Sequence, residues 1–228
     1  FSFESQDCLD FADESMELIS YYAIEASSKL AVERGSYSSF KGSKWDKGVF
    51  PLDSLNLLEK ERDFPIKVDR IQRLDWNALK DRVAKNGLRN SNLMAIAPTA
   101  TIANIAGVFP CTEPAFKNIY MKENLSGNFM VINRYLIDEL QSLGLWTDDM
   151  IQQLKLHDGS VESISDIPIS VKKKFKETFE IDMAWVLQTA AKRTKWIDQS
   201  SSTNIFLKTK SGKLLSDTYM QAWEWGLK

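Results

Sequence analysis

The stretch LMAIAPTATIANIAG, residues 93–107, carries no charged side chain and lies inside a longer uncharged run, residues 90–112. In a chain of 228 residues that is 26% charged, such a run needs a cause. Three readings compete: a membrane span, a buried core segment, and a core segment whose middle receives an anion. A bilayer span needs roughly 20 predominantly apolar residues. The run is long enough, but it contains Asn90, Ser91, Asn92, Thr99, Thr101, Asn104 and Thr112, with Pro98 in mid-course. It has no basic flanks of membrane type and no second span beside it, so the membrane reading is set aside.

Pattern alone leaves the other two open. A buried strand over residues 93–97, a turn at Pro98 and a buried helix would explain Leu93, Met94, Ile96, Ile102 and Ile105 without any ligand. The break itself supports the alternative. A strand that runs into PTAT and then into a helix sets the helix's free N–H groups at the carboxyl end of a sheet. There the orphan donors and the positive end of the helix dipole favour an anion. Thr99 and Thr101 add hydroxyl donors, and the small Ala100 and Ala103 let oxygen atoms approach the backbone. Such a site needs no lysine, and no G-x-x-x-x-G-K-[ST] occurs anywhere in the chain.

Composition narrows the rest. The formal net charge of −2 supplies no electrostatic footprint for nucleic acid or anionic lipid, so a phosphate compound has to be held by a local site. Two cysteines outside any C-x-x-C spacing, with His157 the only histidine, argue against a disulfide framework and a zinc site. The cytoplasm is the expected compartment. The amino-terminal FSFESQDCLDFADE is acidic and unlike a signal peptide. Phe1 in place of methionine, and a stop at MQAWEWGLK where a helix would end, read as a segment of a larger protein.

Local signals place the elements. Residues 11–34 predict the clearest helix, capped by Asp10 and ended by Gly35. Ala12, Met16, Ile19, Ala23, Ala26 and Leu30 share one face of it, while Glu14, Glu17, Glu25 and Lys29 fall elsewhere. Glu25 and Lys29 are spaced for an ion pair. A Ser/Gly/Lys loop follows, then a short helix from Asp53 and another from Asp75 to Gly87. Further along, Asn133, Thr147, Ser170, Asp182 and Ser216 are expected helix caps, and STNIFLKT, residues 202–209, an expected strand. The apolar runs 93–97 and 205–207 are of the type buried in a parallel sheet. The predicted fold is α/β, helix-rich, with an incomplete sheet and no internal linker.

Several unlinked motifs then share one order. ISYYAIEASSKLAVERGSYSSFKGSKWDKG, NSNLMAIAPTATIANIAG followed by EP, NLSGNFMVIN, LGLWTDDM, DGSV, KWIDQSSSTNIFL and AWEWGLK together resemble the carboxyl-terminal part of the large catalytic subunit of class I ribonucleotide reductase. The resemblance covers residues 1–228. It implies the C-terminal portion of a ten-stranded α/β barrel that reduces the 2′-carbon of ribonucleoside diphosphates by radical chemistry. It further implies that Pro98, Thr99, Ala100, Thr101 and Ile102 hold the substrate diphosphate, mainly through backbone N–H groups. Ile102 stands where many members carry Ser or Thr, which removes one hydroxyl contact. The family's thiyl-forming cysteine with its flanking Asn and Glu, its reducing cysteine pair, its relay tyrosines and its regulatory nucleotide sites have no counterpart here. The isolated chain is therefore expected to be inactive and to hold no cofactor of its own. Its implied partners are the ribonucleoside diphosphate, the amino-terminal remainder of the subunit, a small radical- and metal-bearing subunit, a thioredoxin-type reductant and nucleotide effectors, with neither nucleic acid nor membrane among them. The competing expectation is a non-catalytic assembly or nucleotide-phosphate-binding module.

Other residues carry blander readings. Cys8 and Cys111 are expected to be structural thiols. Glu113-Pro114 and Asp198-Gln199 suit loop anchoring better than catalysis. Tyr21-Tyr22 lies in the first helix and does not match the relay motif. His157 reads as a polar turn residue, the tryptophans as core or interface, and KKKFK at 172–176 as a solvated helix face, with a phosphate patch the alternative.

Overall fold

The computed structural model describes residues 1–124 and 127–227. Leu125 and Ser126 of the NLSGNFMVIN motif, and Lys228 of AWEWGLK, lie outside the described residues. Helix α1, Gln6–Arg34, starts earlier than expected. Ser5 is extended, and its hydroxyl accepts a hydrogen bond from the Cys8 N–H at 3.2 Å, which makes it the cap. Asp10 sits inside the first turns and instead accepts from the Gln6 amide at 2.7 Å. Gly35 ends the helix at φ 75°, and Lys29 meets Glu25 at 2.8 Å as their spacing predicts.

The inward stripe of α1 departs from the apolar face expected of it. Of the six residues assigned to that face only Ala12 and Met16 are buried, while Ile19, Ala26 and Leu30 are exposed. The buried stripe runs through Leu9, Asp13, Met16, Ser20, Ile24, Ser27 and Ala31, with Glu17 beside it. Hydrophobic periodicity cannot find this stripe because its centre is acidic. A buried charge costs several kcal/mol unless it is paired and hydrogen-bonded, and here each acid is. Glu17, 1% exposed, accepts from the Arg73 N–H at 2.7 Å, the Leu74 N–H at 3.2 Å and the Trp76 indole at 3.0 Å. Asp13 accepts from the Trp196 indole at 2.6 Å and pairs with the buried Lys195 ammonium at 2.9 Å. Lys195 also reaches Asp69 at 2.9 Å.

Around this polar centre the first half of the chain assembles. Helices α2, Ser54–Arg62, and α3, Trp76–Asn86, start near Asp53 and Asp75. Asp75 accepts from the Ala78 N–H at 3.0 Å as a cap does, whereas the Asp53 carboxylate turns back to the Phe50 N–H at 2.9 Å. The loop between α1 and α2 lacks regular structure but supplies Phe40, Trp45, Phe50 and Leu52 to the core. Trp76 and Trp196 stack at 5.3 Å between ring centroids, joining that core to the far end of the chain.

The second half holds an element that was not expected, the antiparallel hairpin of β1, Ile119–Asn124, and β2, Gly127–Ile132. Helices α5, Arg134–Ser142, α6, Asp148–Leu156, and α8, Met183–Thr194, carry the caps predicted for them. Asn133, Thr147 and Asp182 accept from amides at 3.1, 3.2 and 2.9 Å. Two caps move. Helix α7, Ile169–Lys174, starts after Pro168, which leaves Ser170 inside it. Helix α9, Gly212–Glu224, is capped by Ser211, which offers its hydroxyl to the Leu214 N–H at 3.2 Å more than a turn before Ser216.

A polar knot fixes the base of the hairpin. The Asn118 side chain, 1% exposed, donates to the carbonyls of Gly159 and Phe175 at 3.1 and 2.8 Å and accepts from Asn133 at 2.9 Å. Its N–H donates to the Glu177 carboxylate at 2.8 Å, and burial pushes that carboxyl above its usual range. Gly159 sits at φ 95° against the same group, where a Cβ would stand 2.5 Å from the Glu177 oxygen. The expected parallel pairing is present in its smallest form. Ile96 and Ser201 make a single parallel bridge, through the Ile96 N–H to the Ser200 carbonyl at 3.2 Å and the Ser202 N–H to the Ile96 carbonyl at 2.8 Å. Residues 202–207, expected to form a strand, have no regular structure, because among the described residues no strand lies alongside them.

The pairing around Asp69 sets an acid dependence. Burial works against its charge, but hydrogen bonds from Lys192 and Lys195 outweigh that and hold its carboxyl well below the ordinary value of 3.8. A carboxyl depressed by folding contributes stability that is present above its unfolded value and lost as pH falls through the folded one. Asp69→Asn is therefore expected to lower the melting temperature at pH 7. The gap from the unsubstituted chain should close progressively as the pH is taken below about 4, as followed by thermal melts across that range.

Candidate functional site

The bridged segment delivers the chain to the stretch that was read for an anion. The Asp198 carboxylate takes the Leu93 and Met94 N–H groups at 2.9 and 2.7 Å, and the Gln199 N–H donates to the Met94 carbonyl at 3.2 Å. This is the anchoring role expected of Asp198-Gln199. It fixes residues 94–96 just before the turn. Pro98 follows, then Thr99 in the left-handed region at φ 52°, and helix α4, Ala100–Ala106, begins.

Pro98, Thr99, Ala100, Thr101 and Ile102 come out as one contiguous exposed loop and helix start. The Thr99 carbonyl accepts from the Ala103 N–H at 2.8 Å and closes the first turn. The N–H groups of Ala100, Thr101 and Ile102 find no acceptor among the described residues. The turn and the helix of the segment are thus as expected, but the strand expected over residues 93–97 is reduced to the single bridge at Ile96, because only Ser201 lies alongside to pair with it among the described residues. The helix is not the buried one that a purely structural reading requires. Ile102 is 65% and Ile105 81% exposed, and only Ala103 of α4 is buried.

Behind the loop lies a cluster that the sequence did not connect. The Cys111 N–H donates to the Thr99 hydroxyl at 3.1 Å, and the Cys111 thiol to the Pro98 carbonyl at 3.1 Å. Cys111 itself is left-handed at φ 65°. The Glu113 carboxylate accepts from the Asn204 N–H at 3.0 Å and from its side-chain amide at 3.2 Å, and that amide lies 3.8 Å from the Cys111 sulfur. Burial and the nearby Glu113 charge push the Cys111 thiol up to about 11, so it is a protonated donor at neutral pH. These residues line a cavity of about 280 Å³ with Phe109, Phe116 and Phe206. Glu113 is a loop anchor, as expected. Cys111 and Asn204 had no signal in the sequence, because they are 93 positions apart and meet only through the fold.

The remaining candidates keep their bland readings. Cys8 is buried, and burial raises its thiol. Tyr21 packs edge-on against Trp76 at 5.5 Å. His157 is the residue that ends α6. In the basic run Lys174 and Lys176 pair with Glu139 and Glu4, at 2.6 and 2.7 Å. Among the described residues no group of three or more His, Cys, Asp or Glu could hold a metal ion, and no helix is long and apolar enough to cross a membrane.

A helix-rich chain with an antiparallel hairpin, and a parallel bridge that leads into a turn and a short helix, has the make-up of part of an α/β scaffold. The family model described as "Ribonucleotide reductase, barrel domain" matches residues 1–228, and the chain belongs to that family. It is 48% identical over 228 residues to the ribonucleoside-diphosphate reductase subunit alpha of Chlamydia muridarum, covering all of this chain and 22% of that protein. With the large chain 2 of Saccharomyces cerevisiae it shares 36% identity over 226 residues, which is 99% of this chain and 25% of the yeast protein. The solved class Id ribonucleotide reductase alpha subunit of Actinobacillus ureae superposes with a TM-score of 0.71 at 26% identity, over all of this chain and 34% of that one. The chain thus spans about a quarter of the length of such curated relatives, as a C-terminal portion of the large subunit, and its helix-rich architecture is that of a partial barrel.

Asp198→Ala leaves the Leu93 and Met94 amides without an acceptor. An unpaired, partly buried polar group costs about 1–3 kcal/mol. The variant should be destabilised by that order in denaturant melts, and hydrogen exchange should accelerate at those two amides ahead of the rest of the chain.

Proposed function

We propose that the chain is part of the large subunit of a ribonucleoside-diphosphate reductase, an oxidoreductase that converts ribonucleotides to deoxyribonucleotides, and that its share is to hold the substrate's diphosphate on Pro98, Thr99, Ala100, Thr101 and Ile102. The observation that carries this reading is the run of exposed residues Ala100, Thr101 and Ile102, whose N–H groups find no acceptor among the described residues, just after the segment that Asp198 and the Ile96 bridge anchor. Three successive amides and the Thr99 and Thr101 hydroxyls can take anionic oxygens as charge-assisted hydrogen bonds, which are the strong class. Ile102 contributes its N–H alone. Family membership supports the substrate class, since relatives over the same span are named ribonucleoside-diphosphate reductases.

On this reading the loop works by positioning. Gripping the diphosphate fixes the far end of the substrate, so the ribose is presented to reacting groups on other parts of the enzyme rather than tumbling before them. The radical, the reducing thiols and the nucleotide effectors belong to the remainder of the large subunit, a small radical-generating subunit and a thioredoxin-type reductant, in a cytoplasmic enzyme. No residue of this chain is assigned as a metal ligand.

Calorimetric titration with a nucleoside diphosphate tests the reading against Thr101→Asp. A carboxylate at the start of α4 suits the helix dipole, so the fold is kept while the site is occupied by a fixed negative charge. Binding should weaken by about tenfold or more, on the scale of one lost charge-assisted bond. Equal heats from both proteins would remove the diphosphate role and leave an assembly module.

A further inference from the structure

We propose that Glu113, Asn204 and Cys111 act together as a positioning tether that sets the conformation of the Pro98–Thr99 turn, and so the aim of the amides behind it. The inference rests on the diphosphate reading and adds residues that do not touch the ligand. The turn is held from three directions. From the strand side, the Ile96 bridge fixes its entry. From the loop side, the Cys111 N–H and thiol hold the Thr99 hydroxyl and the Pro98 carbonyl, each at 3.1 Å. From the irregular segment that follows Ser201, the bridge partner of Ile96, Asn204 is drawn in by both oxygens of Glu113, at 3.0 and 3.2 Å, and its amide backs the Cys111 sulfur at 3.8 Å.

Two features say that this arrangement is imposed and not incidental. Thr99 and Cys111 both stand in the left-handed region, at φ 52° and 65°, which is uncommon for residues with a Cβ. Such conformations persist where the surroundings over-determine them, and the bonds from Cys111 to Thr99 and to Pro98 are what over-determine them here. The tether also sorts the hydrogen-bonding capacity of Thr99. With the oxygen accepting from Cys111, the hydroxyl proton is left to donate outward. Pro98, whose carbonyl takes the thiol proton, cannot turn that carbonyl toward the loop's mouth, where it would repel an anion. The thiol serves as a donor for as long as it stays protonated, as burial and Glu113 dictate.

The test is made in the complete subunit that carries residues 1–228, assembled for turnover. Cys111→Ala and Glu113→Ala should each raise KM for the nucleoside diphosphate several-fold and lower kcat by much less. The double variant should be little worse than the worse single one, because both act through one tether. Cys111→Ser keeps a donor at the same place and should restore most of the affinity. In Cys111→Ala, hydrogen exchange at Ala103, whose N–H is held by the Thr99 carbonyl, should quicken, and in Cys111→Ser it should not. Additive losses, or alanine and serine variants that behave alike in both readouts, would overturn the tether. Thr101→Asp, run alongside, separates the two ideas. A KM unmoved by Thr101→Asp defeats the diphosphate reading and this one with it. A KM raised there but not in the alanine variants defeats the tether alone.

Discussion

The rest of the structure hangs on the buried contact between the Asp13 carboxylate and the Lys195 ammonium. Both side chains are removed from solvent. Neither could stay charged there alone, since the cost of stripping water from an unpaired ion exceeds what packing returns. Each therefore dictates where the other's element must lie. Asp13 is about a quarter of the way along α1, and Lys195 follows the last turn of α8. Asp69, in the irregular segment before α3, completes the site for the ammonium. One ionic centre thus gathers three parts of the chain that are far apart in sequence.

The consequences run downstream from Lys195 within a few residues. Trp196 is pinned by its indole to Asp13 and by stacking to Trp76. Ile197 enters the same core, and Asp198 emerges from it with its carboxylate aimed at the amides of Leu93 and Met94. The parallel bridge at Ile96 and the turn at Pro98 follow from that clamp. A loop that sits wholly on the surface is in this way referenced to the buried core, through backbone and short polar contacts. Lysine or arginine in the loop could supply charge but not such a reference, because their long side chains carry rotamer freedom that must be lost on binding.

Where the sequence was legible, the signal was local. The caps at Asp75, Asn133, Thr147 and Asp182, the stop at Gly35 and the Glu25–Lys29 pair depend on residues three or four apart. So do the turn and helix start at Pro98, whereas the strand expected before it is reduced to one bridge. The failures share a cause. The stripe of α1 was misread because Asp13 and Glu17 are acceptable inside only with Lys195, Arg73 and two indoles brought from distant positions. The hairpin at 119–132 gave no warning because its base is closed by Asn118, Asn133 and Glu177 through tertiary hydrogen bonds. Residues 205–207 have the composition of a strand, but composition cannot supply the neighbour a strand needs. For the site, the five loop residues could be named from the motif. The cluster of Cys111, Glu113 and Asn204 behind them required two segments to be folded together.

The exposure of α4 bears on why the stretch carries no charge. A buried segment excludes charge because desolvation is costly, but α4 is not buried: Ile102 and Ile105 face outward and only Ala103 faces in. Burial against the described residues therefore does not account for the neutrality of residues 100–107. Two conditions remain that would exclude charge from an exposed helix start. An acidic side chain there would fill the amide cluster itself, and a basic one would compete for the anion with geometry that the backbone has already set. Both conditions belong to the proposed diphosphate site. In that proposal the remainder of the subunit, of which this chain spans about a quarter by its relatives' length, closes over the loop and its exposed isoleucines. A cover of that kind would lower the local dielectric around the amides and strengthen each of their bonds to a phosphate oxygen.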